Sequence, residues 1–171
     1  PPSPLPLLDA LPLCSGAEGF FANTGEWFTT GLTSAILPFQ LPSFGTINDP
    51  FLTADLGVHL FEVGTSNVTP IDLYGVRVAS TPALNASDYY SGATIDASAT
   101  LIQEDFLTPS SPVATVAEPN NFTDATGDAN LLDYLNTAYD GGAGAGQFVF
   151  LRLSWASDAP LAAGFGAYKI T

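Results

Sequence analysis

The chain has 171 residues, with 17 aspartates and glutamates against three lysines and arginines, one histidine and one cysteine, and a formal net charge of −14 at pH 7. So acidic a chain lacks the basic patch that counterion release at nucleic acid requires and is repelled by anionic membrane surfaces, and one histidine, one cysteine and three cations are a poor toolkit for nucleophilic catalysis or phosphate binding. At 46% hydrophobic and 12% aromatic residues it is nevertheless too apolar to stay unfolded, and its length fits one domain able to bury roughly two thirds of its unfolded surface.

In chain order the first element is a leader. Residues 1–13, PPSPLPLLDALPL, hold five of the fourteen prolines. Leu5, Leu7, Leu11 and Leu13 share one parity and Pro4, Pro6 and Pro12 the other, so an extended leader is greasy along one side. Together with Leu8 these leucines are the candidate assembly residues. Each proline lacks a ladder donor, which keeps such a strand out of the middle of a sheet. Residues 1–15 therefore read as an arm or linker, either laid on its own domain or reaching a neighbouring subunit as a donor strand, and residues 16–171 as a β-sandwich domain. Cys14 has no internal partner and is free, buried or intermolecular. The small residue of a lipoprotein box is missing before it, and neither an 18-residue apolar run nor a basic n-region is present. With no methionine in the chain, Pro1 reads as a processed or trimmed end. These features point to secretion, with an extracellular or cell-surface location and no membrane insertion.

From Gly16 onward the pattern predicts strands at Trp27–Thr30, Ser34–Leu41, Leu52–Val63, Ile71–Ala79, Thr100–Leu107, Val113–Ala117, Gln147–Trp155 and Gly164–Thr171, separated by Pro, Gly, Asn and Asp clusters. Within the third, Leu56, Val58 and Leu60 face one way and Asp55, Gly57, His59 and Phe61 the other, as in a half-buried strand. Eight short strands with long loops predict an antiparallel jelly roll or two-sheet sandwich. One short helix is expected at about 128–139, where Leu131, Leu132, Leu135, Ala138 and Tyr139 make an apolar stripe, Thr126 or Asp128 caps the start and Gly141-Gly142 ends it.

Candidate site residues are sparse. Asn67, Asn85 and Asn121 stand in N-x-S/T sequons and are candidate N-glycosylation positions. Asp124, Thr126 and Asp128 offer oxygens at alternate positions, as calcium loops do, but glycine and the bidentate glutamate are out of place, and helix capping is the competing role. Trp27, Tyr89 and Tyr90 are candidates for stacking on sugar rings, or else core. Glu104-Asp105 is a poor glycosidase pair, because neighbours on a strand point to opposite faces. His59, alternating with apolar residues, reads as packed or surface. With only three cations, ion pairing of Arg77 and Arg152 is nearly forced.

The order Ser34–Pro42, then Leu52–Leu60, then Ile71–Arg77, followed later by Gly127-Asp128, the Leu131–Tyr139 helix, Gly141–Gly146 and Phe148–Leu153, resembles DNRLRE-type domains over about residues 33–171. That resemblance implies a secreted bacterial jelly-roll module of cell-surface proteins, some members being carbohydrate-binding. Two departures stand against transferring sugar binding. Asp88-Tyr89-Tyr90 replaces the tryptophan usual after the third strand, and Gly164–Thr171 lacks the customary Pro-Leu lead-in.

The functional expectation is a non-enzymatic structural subunit of a pilus-like extracellular filament, a helical homopolymer in which the arm of one copy inserts into the sheet of the next. The alternative is a carbohydrate-binding module with glycans as partners. No cofactor is expected apart from the calcium candidate.

Overall fold

Runs of Val, Ile, Leu and Phe, bounded by Gly, Pro, Asn and Asp, form strands because branched and aromatic side chains suit a pleated surface and the bounding residues suit turns. The structure, a computed structural model, describes residues 22–27, 31–43, 50–64, 70–88, 98–116, 118–155 and 166–170. Within them lie β1 (Ala22–Trp27), β2 (Gly31–Thr33), β3 (Ala35–Gln40), β4 (Gly57–Val58), β5 (Leu60–Val63), β6 (Ile71–Ala79), β7 (Thr100–Leu107), β8 (Asn121–Phe122), the helix α1 (Ala125–Tyr139), β9 (Phe148–Trp155) and β10 (Gly166–Ile170). The fold is mainly β, with every strand pairing antiparallel.

The strands form two four-stranded sheets, ordered β2-β1-β10-β5 and β3-β9-β6-β7, and a short β4-β8 pair. Ser34 alone separates β2 from β3, so one continuous segment supplies the outer strand of both sheets. Residues of both sheets enter a single apolar cluster: Leu60, Tyr168 and Ile170 from the first, and Ala35, Ile71, Leu73, Ile102, Val149, Leu151 and Leu153 from the second. This arrangement is compatible with a two-sheet sandwich. Alternation carries it on β3, where Ala35, Leu37 and Phe39 share the parity that joins the cluster. β9 is buried on both faces from Phe148 to Ser154, as a central strand should be.

Three strand expectations change. The first strand is Ala22–Trp27, beginning well before the expected Trp27–Thr30 because Ala22–Glu26 find ladder partners in Ile170–Gly166, and residues 28–30 lie outside the described residues. Leu52–Val63 is not one strand. Its two halves have different neighbours, Gly57-Val58 pairing with Phe122-Asn121 while Leu60–Val63 pairs with β10, and His59 lies between them. Residues 113–116 are irregular, flanked by Pro112, which has no donor to give a ladder. They reach the sheet through one bond, Ala114 N–H to Leu60 O at 3.0 Å.

The helix starts earlier than expected. Asp124 is its N-cap, accepting from the N–H groups of Thr126 and Gly127, so Ala125 to Asp128 form the first turn. Asp140, in the left-handed region at φ 43°, closes the other end, its N–H bonded to Asn136 O. Leu131, Leu135 and Tyr139 are buried against the core, each contributing roughly 1.5–3 kcal/mol of apolar burial. The helix packs along β7 and β6.

Candidate functional site

Polar chemistry in a β-domain of this composition has to come from the few charged and amide side chains, and the structure shows how each is used. Asp72 and Tyr74 of β6 pair across the ladder with Ser154 and Arg152 of β9. All four are buried, Arg152 completely. The Tyr74 hydroxyl donates to Asp72 at 3.0 Å, Arg152 Nε donates to Ser154 Oγ at 3.0 Å, and the Arg152 guanidinium lies over the Tyr74 ring. The other carboxyl oxygen of Asp72, Oδ1, accepts the N–H of Asp105, which sits at φ 50° where β7 bulges. A buried cluster of this kind, tying β6 to β7 and β9, favours one strand register.

A second cluster lies further along β6, beyond the Gly75–Leu151 pair. Arg77 stacks on Phe150, its guanidinium carbon 3.7 Å from the ring centre, and grips Asp88 through Nε and Nη2 while Nη2 also donates to Ala83 O at 2.7 Å. Asp88 is fully buried. Burial alone would push its carboxyl up, but the Arg77 hydrogen bonds, the Asn85 N–H and the guanidinium charge together hold it below the ordinary value. Those same bonds from Asp88 raise Arg77 further. From the opposite direction the Tyr134 hydroxyl of α1 donates to Arg77 O at 3.0 Å, and burial pushes this phenol up to about 12. Tyr168, almost wholly buried, is raised as well, first by burial and then by the charge of Asp105.

Two asparagines act as main-chain clamps. The Asn120 amide accepts from Leu60 N–H at 2.7 Å and donates to Leu60 O at 2.9 Å and Pro112 O at 3.0 Å, covering the outer edge of β5 as a further strand would. Asn136 does the same to Phe51, accepting from its N–H at 2.7 Å and donating to its carbonyl at 3.1 Å. β7 is covered differently. α1 packs against it, Asn130 donates to Ile102 O, and Gln103 accepts from Asp124 N–H. Among the described residues no strand pairs with the outer side of β2 or β3. Ile36, Leu37, Pro38 and Phe39 there are half-buried and Gln40 is exposed. Among the described residues the β2–β3 segment is thus the sheet edge with the least cover. A shallow, open groove of about 400 Å³ lies between the ends of β6 and β7 and the C-terminal turn of α1, lined by Val78, Thr100, Thr137, Asp140 and Gln147 among others.

The residues singled out by sequence fall as follows. The assembly leucines 5, 7, 8, 11 and 13, with Cys14, Asn67, Tyr89 and Tyr90, lie outside the described residues, and Trp27 is placed only as the last residue of β1. Asn85 is exposed on the loop after β6. Asn121 is only 8% exposed, and its amide donates to Pro112 O and Asn120 Oδ1, bonds that a glycan on that nitrogen would have to displace. Asp124 caps α1, and Asp128 accepts from the Thr123 hydroxyl, while Thr126 shows only its N–H in use. Among the described residues no three His, Cys, Asp or Glu side chains group as a metal site. Glu104 and Asp105 are both exposed. His59 is buried, with Nε2 2.8 Å from Ala114 O.

Sequence reading missed Asp88, Asn120, Asn136 and Tyr134. One signal was available for the last: Gly75 interrupts an otherwise apolar strand pattern, which marks a close approach of something from outside the strand. Comparison with protein-family models, with curated proteins and with solved structures finds no match.

Proposed function

We propose that the chain is a structural subunit of an extracellular, pilus-like filament, in which residues 1–13 of one copy pair along the β2–β3 edge of the next. The observation that carries this reading is the uneven treatment of the sheet edges: β5 and β7 are covered by Asn120 and by α1, whereas the continuous β2–β3 segment is left without a partner strand among the described residues. Exposed edges are what natural β-proteins cover unless another chain is to use them.

The arm suits such an edge. A strand added to one side of a sheet uses the N–H groups of alternate residues only, so Pro4, Pro6 and Pro12, the prolines interleaved with the leucines, share one parity and forfeit no bond if that parity points outward. The opposite parity then gives Leu5, Leu7, Leu11 and Leu13 both the ladder bonds and one common face. The arm spans about 43 Å when extended and Gly31–Gln40 about 33 Å, so length is sufficient. Pro38 on the acceptor lacks one donor and keeps its carbonyl. Because donor and acceptor are different surfaces, the contact is heterologous and propagates. The buried polar clusters favour a load-carrying scaffold over a catalyst, since Asp72 ties β6 to the main chain of β7 and the Arg152 guanidinium lies across the strands on Tyr74.

Electron microscopy of the native material, beside size exclusion of the chain lacking residues 1–13, tests this. Filaments from the full chain and a folded monomer from the truncated one are expected; filaments that persist without the arm, or a full chain that never polymerises, refute it.

A further inference from the structure

The loop that follows β6 is shaped by one buried carboxylate. Asp88 closes a 3-10 turn, Ala86–Asp88, in which its N–H donates to Asn85 O at 3.0 Å and its Oδ2 accepts the Asn85 N–H at 2.7 Å. Arg77 fastens the same carboxylate to β6 and holds Ala83 O as well. The main chain of Asn85 is therefore fully engaged, while its side chain is exposed and makes no hydrogen bond among the described residues. Asn85 also opens the triplet Asn85-Ala86-Ser87, an acceptor sequence for N-linked glycans whose function requires a surface loop.

The contrast with Asn121 is chemical. Its triplet, Asn121-Phe122-Thr123, has the same form, but its amide nitrogen is spent on Pro112 O and Asn120 Oδ1, it lies in the β4-β8 ladder, and the Thr123 hydroxyl of the triplet is occupied by Asp128. A sugar there would open the covering over β5, whereas at Asn85 it would project into solvent from a loop whose position is fixed by an ion pair.

We propose that Asn85 carries an N-linked glycan and that Asn121 is left bare. The co-reactant is an oligosaccharide joined through its anomeric carbon to a lipid phosphate. Asn85 Nδ2 forms the new bond to that carbon, the bond from the carbon to the phosphate oxygen breaks, the lipid phosphate departs with the electron pair, and Nδ2 gives up one proton. No oxidation or reduction is involved. This proposal is independent of filament assembly.

The test uses protein isolated from the organism that makes it. Trypsin would leave both asparagines on the single peptide Val78–Arg152, so cleavage before aspartate is used, which separates a peptide ending at Ser87 from one ending at Thr123. The expected result is a series of hexose-type mass increments on the first and the bare mass on the second. Expressed in the same organism, Asn85→Gln should lose the whole increment while keeping the circular dichroism spectrum of the parent. A bare Asn85 peptide, or sugar on Asn121, overturns the proposal.

Discussion

Gly75 lies in the middle of β6, where a residue with a side chain would ordinarily pack better. It is glycine because the Tyr134 ring occupies the space: a Cβ built there would stand 2.5 Å from Tyr134 Cε2, 2.6 Å from Cζ and 2.7 Å from Cδ2. The ring is not free to retreat, since its hydroxyl is bonded to Arg77 O and also lies 3.5 Å from Phe150 O. Gly75→Ala therefore sets a gain of about 0.5–1 kcal/mol from lower chain entropy against an overpacking cost of about 1–3 kcal/mol. Contact with three ring atoms puts the cost at the upper end, and the net expectation is a loss of about 2 kcal/mol. With a urea slope of about 2 kcal/mol/M, the unfolding midpoint should fall by about 1 M at unchanged slope.

The attribution is testable by a double-mutant cycle. Tyr134→Ala should cost about 3 kcal/mol as a part-buried aromatic deletion, and in that background Gly75→Ala should become neutral or slightly stabilising, a coupling of about 2 kcal/mol. Tyr134→Phe is the control. It removes the hydroxyl bonds at a cost of about 1 kcal/mol but leaves the ring, so the Gly75→Ala penalty should largely persist. Equal penalties in the parent and Tyr134→Ala backgrounds would refute the packing argument, as would a stable Gly75→Ala single variant.

Other expectations follow from the same groups. The Asp88 carboxyl is held below its ordinary value, so its contribution to stability is complete above about pH 4 and declines as the pH falls through the folded value. Arg77→Met leaves that buried carboxylate without its cation and should cost about 3 kcal/mol near neutrality; the slope should also invert, the variant regaining stability on acidification in urea titrations at pH 7 and pH 4. The Tyr134 phenol, raised to about 12, favours the folded state below pH 10 and ceases to as pH rises toward 12, a loss of at most about 2.7 kcal/mol that Tyr134→Phe should abolish when stabilities at pH 8 and pH 11 are compared. Asp124→Ala removes the helix cap and should cost about 0.5–2 kcal/mol, most of it recovered by Asp124→Asn. Asn120→Ala leaves the Leu60 N–H without its acceptor, so about 1–3 kcal/mol should be lost, with faster hydrogen exchange of the Leu60 amide.

Strand type was legible where an apolar run kept the same neighbours along its length, as in Ile71–Ala79, which β9 accompanies throughout, and Phe148–Trp155, held between β3 and β6. It failed where pairing partners changed mid-run. Alternation through Leu52–Val63 is genuine, with Leu56, Val58 and Leu60 all buried, but alternation records which face meets the core and carries no information on which neighbour supplies the hydrogen bonds. Hence β4 and β5 read as one strand. The helix stripe was legible for the same reason that its start was not: Leu131 to Tyr139 repeat with helical period, whereas Asp124, Thr126 and Asp128 are all capable caps, and only the main-chain geometry selects Asp124.

Chemistry was less legible than architecture because the decisive side chains act on the main chain. Asn120 binds Leu60 across 60 residues and Asn136 binds Phe51 across 85, and neither pairing leaves a periodic trace, since a backbone amide is the same at every position. The same physics explains why a chain with so few cations is rich in ordered polar contacts. Where guanidinium groups are scarce, amides and capped carboxylates close the exposed ladder ends instead, and each closure removes one edge from those at which another chain could add. Asn120 removes β5, and Asn130 with the start of α1 removes β7. Among the described residues the β2–β3 segment has no such closure, which is the feature a strand-adding partner would require; under the proposed assembly, deleting residues 1–13 should abolish polymerisation.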